Sequence, residues 1–104
     1  MDTVKLDDQG FLLNLSDWSS QLAEDIAISE GITLTPAHWE VIYLLREFYE
    51  EFEISPAMRI LVKQTKQTLG EAKGNSHYLL SLFPGSPAKI ASKIAGLPKP
   101  TNCL

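Results

Sequence analysis

The sequence predicts a mostly helical α+β domain with a small β-hairpin over residues 1–14, a helical body over 15–96 and an extended arm over 97–104. Three observations carry that prediction. A hydroxyl residue followed by proline, the cap and first-turn signal of an α-helix, occurs at Thr35-Pro36, Ser55-Pro56 and Ser86-Pro87. Glycines 31, 70 and 96 stand where the helical spacing of apolar residues stops. Prolines 98 and 100 then forbid any continuation, because proline lacks an N–H and pushes its predecessor out of the helical region. With 104 residues, 44% of them apolar and 21% charged, the chain is sized and composed as one globular domain that buries roughly two-thirds of its unfolded surface.

The elements follow in order. Val4 to Leu6 and Phe11 to Leu13 flank the turn-forming run Asp7-Asp8-Gln9-Gly10, which reads as a hairpin. Ser16 or Asp17 is placed to cap a first helix whose stripe of Trp18, Leu22, Ala23, Ile26 and Ala27 faces inward until Gly31. From Pro36 to about Phe52 apolar residues cover most of a helix, leaving a polar strip at Glu40, Glu47 and Glu51; a helix this apolar is expected at the centre of the bundle. Pro56 to Leu69 buries Met58, Leu61, Val62 and Leu69 and sets Arg59, Lys63 and Lys66 on one exposed face. Asn75 caps a short helix to Leu82, and Pro87 to Ala95 turns Ile90, Ala91, Ile94 and Ala95 inward with Lys89, Ser92 and Lys93 outward.

Composition narrows the function classes. No run approaches the ~18 apolar residues of a membrane helix, and the start Met1-Asp2-Thr3 lacks the basic segment of a signal peptide, so a cytoplasmic, membrane-free protein is expected. A single cysteine forbids an internal disulfide. Residues 1–53 carry −10 and residues 54–104 carry +6 of the net −4. Two readings follow: a basic face around the arm, or halves that neutralise each other on packing.

That one cysteine, Cys103, is penultimate, beyond both prolines. A fully extended arm from Leu97 would carry its sulfur roughly 20 Å from the body at ~3.1 Å per residue. The terminal carboxylate, roughly 6 Å away, disfavours the thiolate by about 0.7 kcal/mol in water, and no base lies beside it in sequence. Cys103 is therefore suited to being loaded and unloaded inside partners that supply the activating groups, or to resting against the body near His38, Trp39 or Arg59. His38 and His77, the only histidines, have no zinc-ligand spacing with one cysteine, so no metal and no cofactor is expected. No serine sits in a Gly-x-Ser-x-Gly elbow. Arg59, Lys63, Lys66 and Lys73 could touch phosphates from a helix-turn-helix-like pair around Gly70, although the helix after that turn is mostly apolar.

The tail Lys93-Ile94-Ala95-Gly96-Leu97-Pro98-Lys99-Pro100-Thr101-Asn102-Cys103-Leu104 resembles the C-terminal signature of the DsrC/TusE sulfur-carrier family. So do Pro36-Ala37-His38-Trp39-Glu40-Val41-Ile42, Ser55-Pro56-Ala57-Met58-Arg59 and Gly74-Asn75-Ser76-His77-Tyr78-Leu79. Members tied to dissimilatory sulfite reductase carry a second cysteine eleven residues before the penultimate one. Here that position is Ser92, which cannot close a disulfide, so the resemblance is to the TusE branch. It implies a compact orthogonal helical bundle with a hairpin and a flexible arm. It also implies a sulfurtransferase of carrier type in which Cys103 accepts persulfide sulfur from a TusBCD-like complex. The acceptor would be an MnmA-like enzyme making wobble 2-thiouridine, with tRNA contacted indirectly. Lys93, Lys99, Arg59 and Lys63 are the candidate partner-binding residues, and His38 and Trp39 the candidate arm-docking ones. The alternative of another class is a non-catalytic regulatory module that binds DNA through the basic face.

Overall fold

In the computed structural model, which describes residues 4–101, the N-terminal reversal is built by one aspartate. Asp7 Oδ1 accepts the Gln9 and Phe11 N–H groups at 2.8 and 2.9 Å, and the Asp7 N–H returns a 2.7 Å bond to the Phe11 carbonyl. The Phe11 N–H is the main cause that holds the Asp7 carboxyl below its ordinary value. Beyond this turn the two arms share a single isolated antiparallel bridge, Leu6 to Leu12, and no strand exists among the described residues. The expected hairpin is thus corrected to a tight turn. Only Phe11 and Leu12 are buried, whereas Leu6 and Leu13 remain exposed, so there is no apolar face to support a longer ladder.

Five α-helices follow among the described residues: α1 (Ser20–Ser29), α2 (Pro36–Phe52), α3 (Met58–Leu69), α4 (Ser76–Leu82) and α5 (Pro87–Ile94). The cap of α1 is Ser19, whose hydroxyl accepts the Leu22 N–H at 3.1 Å; Ser16 and Asp17 instead lie in a preceding 3-10 turn, Leu15–Asp17, capped by Asn14. This displacement takes Trp18 off the helix and frees its indole for a distant partner. Thr35 and Pro36 open α2 as the dipeptide predicts. His38 replaces the usual acid of a capping box: its Nδ1 accepts the Thr35 N–H at 3.0 Å, so Nε2 carries the proton and donates to the Leu82 carbonyl at 2.8 Å. That bond ties α2 to the end of α4.

Asn75 caps α4 through the Tyr78 N–H at 2.8 Å, and Ser86 with Pro87 opens α5. The loop before Asn75 lies tight on α3; a Cβ at Gly74 would sit 2.2 Å from the Lys66 Cα, so that close approach needs glycine. Ser55 and Pro56, however, do not start α3, which begins two residues later with Ala57 as its cap. The Ser55 side chain is engaged elsewhere.

The centre of the bundle is α5, not α2. This eight-residue helix packs against α1, α2, α3 and α4, and Ala88, Ala91, Ile94 and the following Ala95 are all but inaccessible. Its small side chains let four neighbours approach at once. On α2, Tyr43 and Phe52 are half exposed, so part of its apolar surface faces solvent instead of being surrounded by other helices as a central element would be. The same crowding overturns the outward placement of Ser92 and Lys93: both are buried. No helix among the described residues is long and apolar enough to cross a membrane.

Candidate functional site

The root of the C-terminal tail is set by how α5 ends. Leu97 donates its N–H to the Ser92 carbonyl at 2.9 Å and Gly96 donates to Lys93 at 3.1 Å, the paired closure of a Schellman turn. Gly96 has φ +77, and a Cβ there would lie 2.3 Å from Trp18 Cδ1, so conformation and space both demand glycine. The last carbonyls of α5 are taken by side chains from elsewhere in the chain. Trp18 Nε1 donates to the Ile94 carbonyl at 2.9 Å and Arg46 to the Ala95 carbonyl at 2.6 Å, while the Arg46 guanidinium lies 3.8 Å over the Trp18 ring. Burial draws the Arg46 guanidinium below its ordinary value, opposed by Glu50 and Tyr43. A cation at the negative end of α5 complements the helix dipole.

Past this clamp the tail stays on the body. Leu97 is 3% exposed, the Ser55 hydroxyl donates to the Pro98 carbonyl at 2.6 Å, and Pro100 is buried. The expected projection from Leu97 onward is therefore corrected: the tail is anchored through Pro100, and its extended prolines lie along the end of α2 instead of reaching outward. Two clefts flank it. One, about 320 Å³, is bounded by Leu15, Arg46, Tyr49, Glu50, Gly96 and Leu97. The other, about 200 Å³, includes Tyr49, Glu53, Ile54, Pro98, Lys99 and Thr101. Cys103 lies outside the described residues.

The other residues singled out by sequence fall in different places. Lys93, expected to bind partners, is committed internally: its Nζ pairs with Glu30 at 2.9 Å and stands 5.2 Å above the Phe11 ring. Lys99 is exposed beside the tail cleft, and Arg59 and Lys63 are exposed on α3. His38 and Trp39 sit near the start of α2, on the order of 20 Å along the helix from Glu53 and the described tail. His38 has both ring nitrogens engaged, and Trp39 stacks on Tyr43 at 5.5 Å. Lys73 is withdrawn from the basic face by a 2.8 Å ion pair with Glu40, which holds its ammonium above the ordinary value. Both ion pairs join an acid of the first half to a lysine of the second, so here the halves neutralise each other. No three His, Cys, Asp or Glu side chains among the described residues could hold a metal ion.

Sequence reasoning missed Trp18, Arg46, Tyr49, Ile54 and Ser55 as parts of the tail root. One signal was available: Arg46 is the only arginine or lysine in a helix that is otherwise apolar or acidic apart from His38, a placement that demands a partner.

Comparison with known proteins bears on this arrangement. The family described as DsrC like protein matches the chain over residues 1–104. The chain belongs to the DsrC-like family. This DsrC-like chain is 57% identical over 101 residues to Sulfurtransferase TusE of Sodalis glossinidius (strain morsitans), spanning 97% of this chain and 94% of that one. To Sulfurtransferase TusE of Escherichia coli (strain K12) it is 54% identical, spanning 97% and 93%. Its fold is shared with the NMR structure of Allochromatium vinosum DsrC, at a TM-score of 0.88 and 50% identity over 97% of this chain and 90% of that one. The crystal structure of the oxidized gamma-subunit of dissimilatory sulfite reductase (DsrC) from Archaeoglobus fulgidus aligns at 0.83 and 39% identity, covering 97% and 92%. The resemblance read from the tail and the three internal segments is thus confirmed, as is the mostly helical fold.

Proposed function

We propose that this DsrC-like chain is a cytoplasmic sulfur carrier that works as one domain with Cys103 as its only carrying group. The observation that carries this reading is the anchored tail: Trp18, Arg46 and Ser55 hold the carbonyls of Ile94, Ala95 and Pro98, and Pro100 is buried, three residues before the lone cysteine in the sequence. Near-full-length identity to sulfurtransferases named TusE supports it. In the loading step the Cys103 thiolate attacks the outer sulfur of a donor persulfide. A new S–S bond forms to Cys103, the donor's S–S bond breaks, and the donor leaves as its thiolate, with no net oxidation. Delivery repeats the exchange in reverse on an acceptor thiol.

The donor is a TusBCD-like complex and the acceptor an MnmA-like tRNA 2-thiouridylase, so tRNA is modified by the acceptor and not by this chain. An unactivated thiol suits this division of work, since rate depends on thiolate fraction, leaving group and access, and the partner's pocket supplies the first two. Lys99 is the cation nearest the tail for contact with such partners.

The experiment is mass spectrometry of the intact protein after incubation with a cysteine desulfurase and the relay donor. One added sulfur, about 32 Da, is expected on wild type and none on Cys103→Ser, with unchanged circular dichroism. Full sulfur transfer through Cys103→Ser would overturn the reading.

A further inference from the structure

Resting on the sulfur-carrier reading, we propose that the C-terminal end of α2 beside the tail cleft is the docking surface for the protein that loads the tail. That protein presents an apolar side chain flanked by lysine or arginine. Among the described residues Ile54 is 61% exposed, and Phe52, whose ring packs on Phe48 at 4.6 Å, is still 50% exposed. Ile54 also walls the 200 Å³ cleft with Tyr49 and Pro98. That volume falls below the roughly 300–1,000 Å³ of small-molecule pockets, so a single inserted side chain fits it better than a free ligand.

Charge selects the class of partner. Glu47, Glu50, Glu51 and Glu53 are all exposed around the end of α2, and the one arginine of this helix, Arg46, is spent on the Ala95 carbonyl and the Trp18 ring. Among the described residues Lys99 is the single cation lining the cleft. A phosphate backbone is repelled from such a rim, while lysine and arginine are drawn to it and speed encounter. Position completes the case. Thr101 lines the same cleft, so a protein that engages a thiol two residues later is brought against Ile54 and Glu53.

The test compares Ile54→Ser and Glu53→Asn with wild type, as full chains, for sulfur loading on Cys103. Both positions are exposed, and asparagine tolerates the left-handed conformation of residue 53 (φ 58), so both variants fold. Two donors are used: glutathione persulfide, and a persulfidated protein complex of the relay. With the protein donor each variant raises KM several-fold to tenfold, Ile54→Leu restores it, and Glu53→Asn also flattens the dependence of KM on salt. With glutathione persulfide the rates differ from wild type by less than twofold.

An unchanged KM for the protein donor overturns the surface while leaving the carrier reading intact. A wild type that loads from neither donor overturns the carrier reading, and the surface with it. Weaker binding of a tRNA transcript by the variants, without an effect on protein-donor KM, assigns the face to RNA and overturns the proposal. So does a wild-type dimer that Ile54→Ser converts to a monomer in sedimentation.

Discussion

The Ser55 hydroxyl donates a 2.6 Å hydrogen bond to the carbonyl of Pro98, joining positions 43 residues apart at the first proline of the tail. Proline has no N–H, so the carbonyl is the only backbone group by which residue 98 can be held. With Leu97 buried on one side of it and Pro100 on the other, this bond makes the tail part of the bundle's surface.

Ser55→Ala is expected to cost about 1 kcal/mol of stability, the usual net worth of such a bond, since Pro98 is exposed and its carbonyl can take water instead. Urea unfolding measures the loss. The Lys99 and Thr101 amide resonances should shift while those of α4 stay in place. Wild-type shifts at both amides would show that the tail is held without this serine.

The fate of Ser55 also marks where the sequence was legible and where it was not. Thr35-Pro36 and Asn75 act as helix starts because a cap needs only partners two or three residues away, and Ser86-Pro87 because proline suits the first helical position. Ser55-Pro56 carries the same signal, yet its hydroxyl is claimed by a carbonyl that local spacing cannot reveal. The burial of Ser92 and Lys93 was hidden for a related reason. A two-sided pattern on an eight-residue helix predicts one wet face, but Phe11 and Glu30 engage Lys93, and Ser92 is inaccessible where α5 packs on its neighbours. The family was readable because short motifs sufficed, whereas the tail root depends on Trp18, Arg46 and Ser55 converging from three separate segments.

Gly96→Ala is expected to lose about 2–3 kcal/mol. The left-handed conformation costs an alanine about 1–2 kcal/mol, and the new Cβ displaces the Trp18 ring from its bond to the Ile94 carbonyl, worth about another 1 kcal/mol. In a Trp39→Phe background, Trp18 is the only tryptophan left, so its emission should move to the red as the ring becomes wetter. Unaltered emission and an unaltered urea midpoint together would contradict the packing at the tail root.

Removing Lys93 should damage the fold before it damages any partner contact. The ammonium and the Glu30 carboxylate keep only 10% and 25% of their side-chain exposure, so Lys93→Met strands a largely dehydrated carboxylate. A cost of about 2–3 kcal/mol is expected, short of the ~3–5 kcal/mol of fully buried pairs because Glu30 retains some solvent. Glu30→Gln in the same chain should recover part of it, giving a coupling above about 0.5 kcal/mol in a double-mutant cycle of urea midpoints. Additive effects would mean that the pair is not energetically joined.

Ser92 offers the opposite sign. Its Oγ is inaccessible and has no hydrogen-bond partner among the described residues, although the residue sits at the hub where α5 meets its neighbours. A buried hydroxyl left unsatisfied costs about 1–3 kcal/mol, whereas the methyl of alanine in the same place costs nothing polar and leaves a hole smaller than one oxygen atom's neighbours can largely fill. Ser92→Ala is therefore expected to raise stability by up to about 1 kcal/mol in thermal or urea unfolding, against the usual direction of core truncations. Because the side chain points into the bundle and not toward the tail's partners, sulfur loading on Cys103 should proceed at the wild-type rate in that variant. A destabilised Ser92→Ala would reveal a hydrogen bond for this hydroxyl, and a slowed but stable one would give residue 92 a part in the transfer itself.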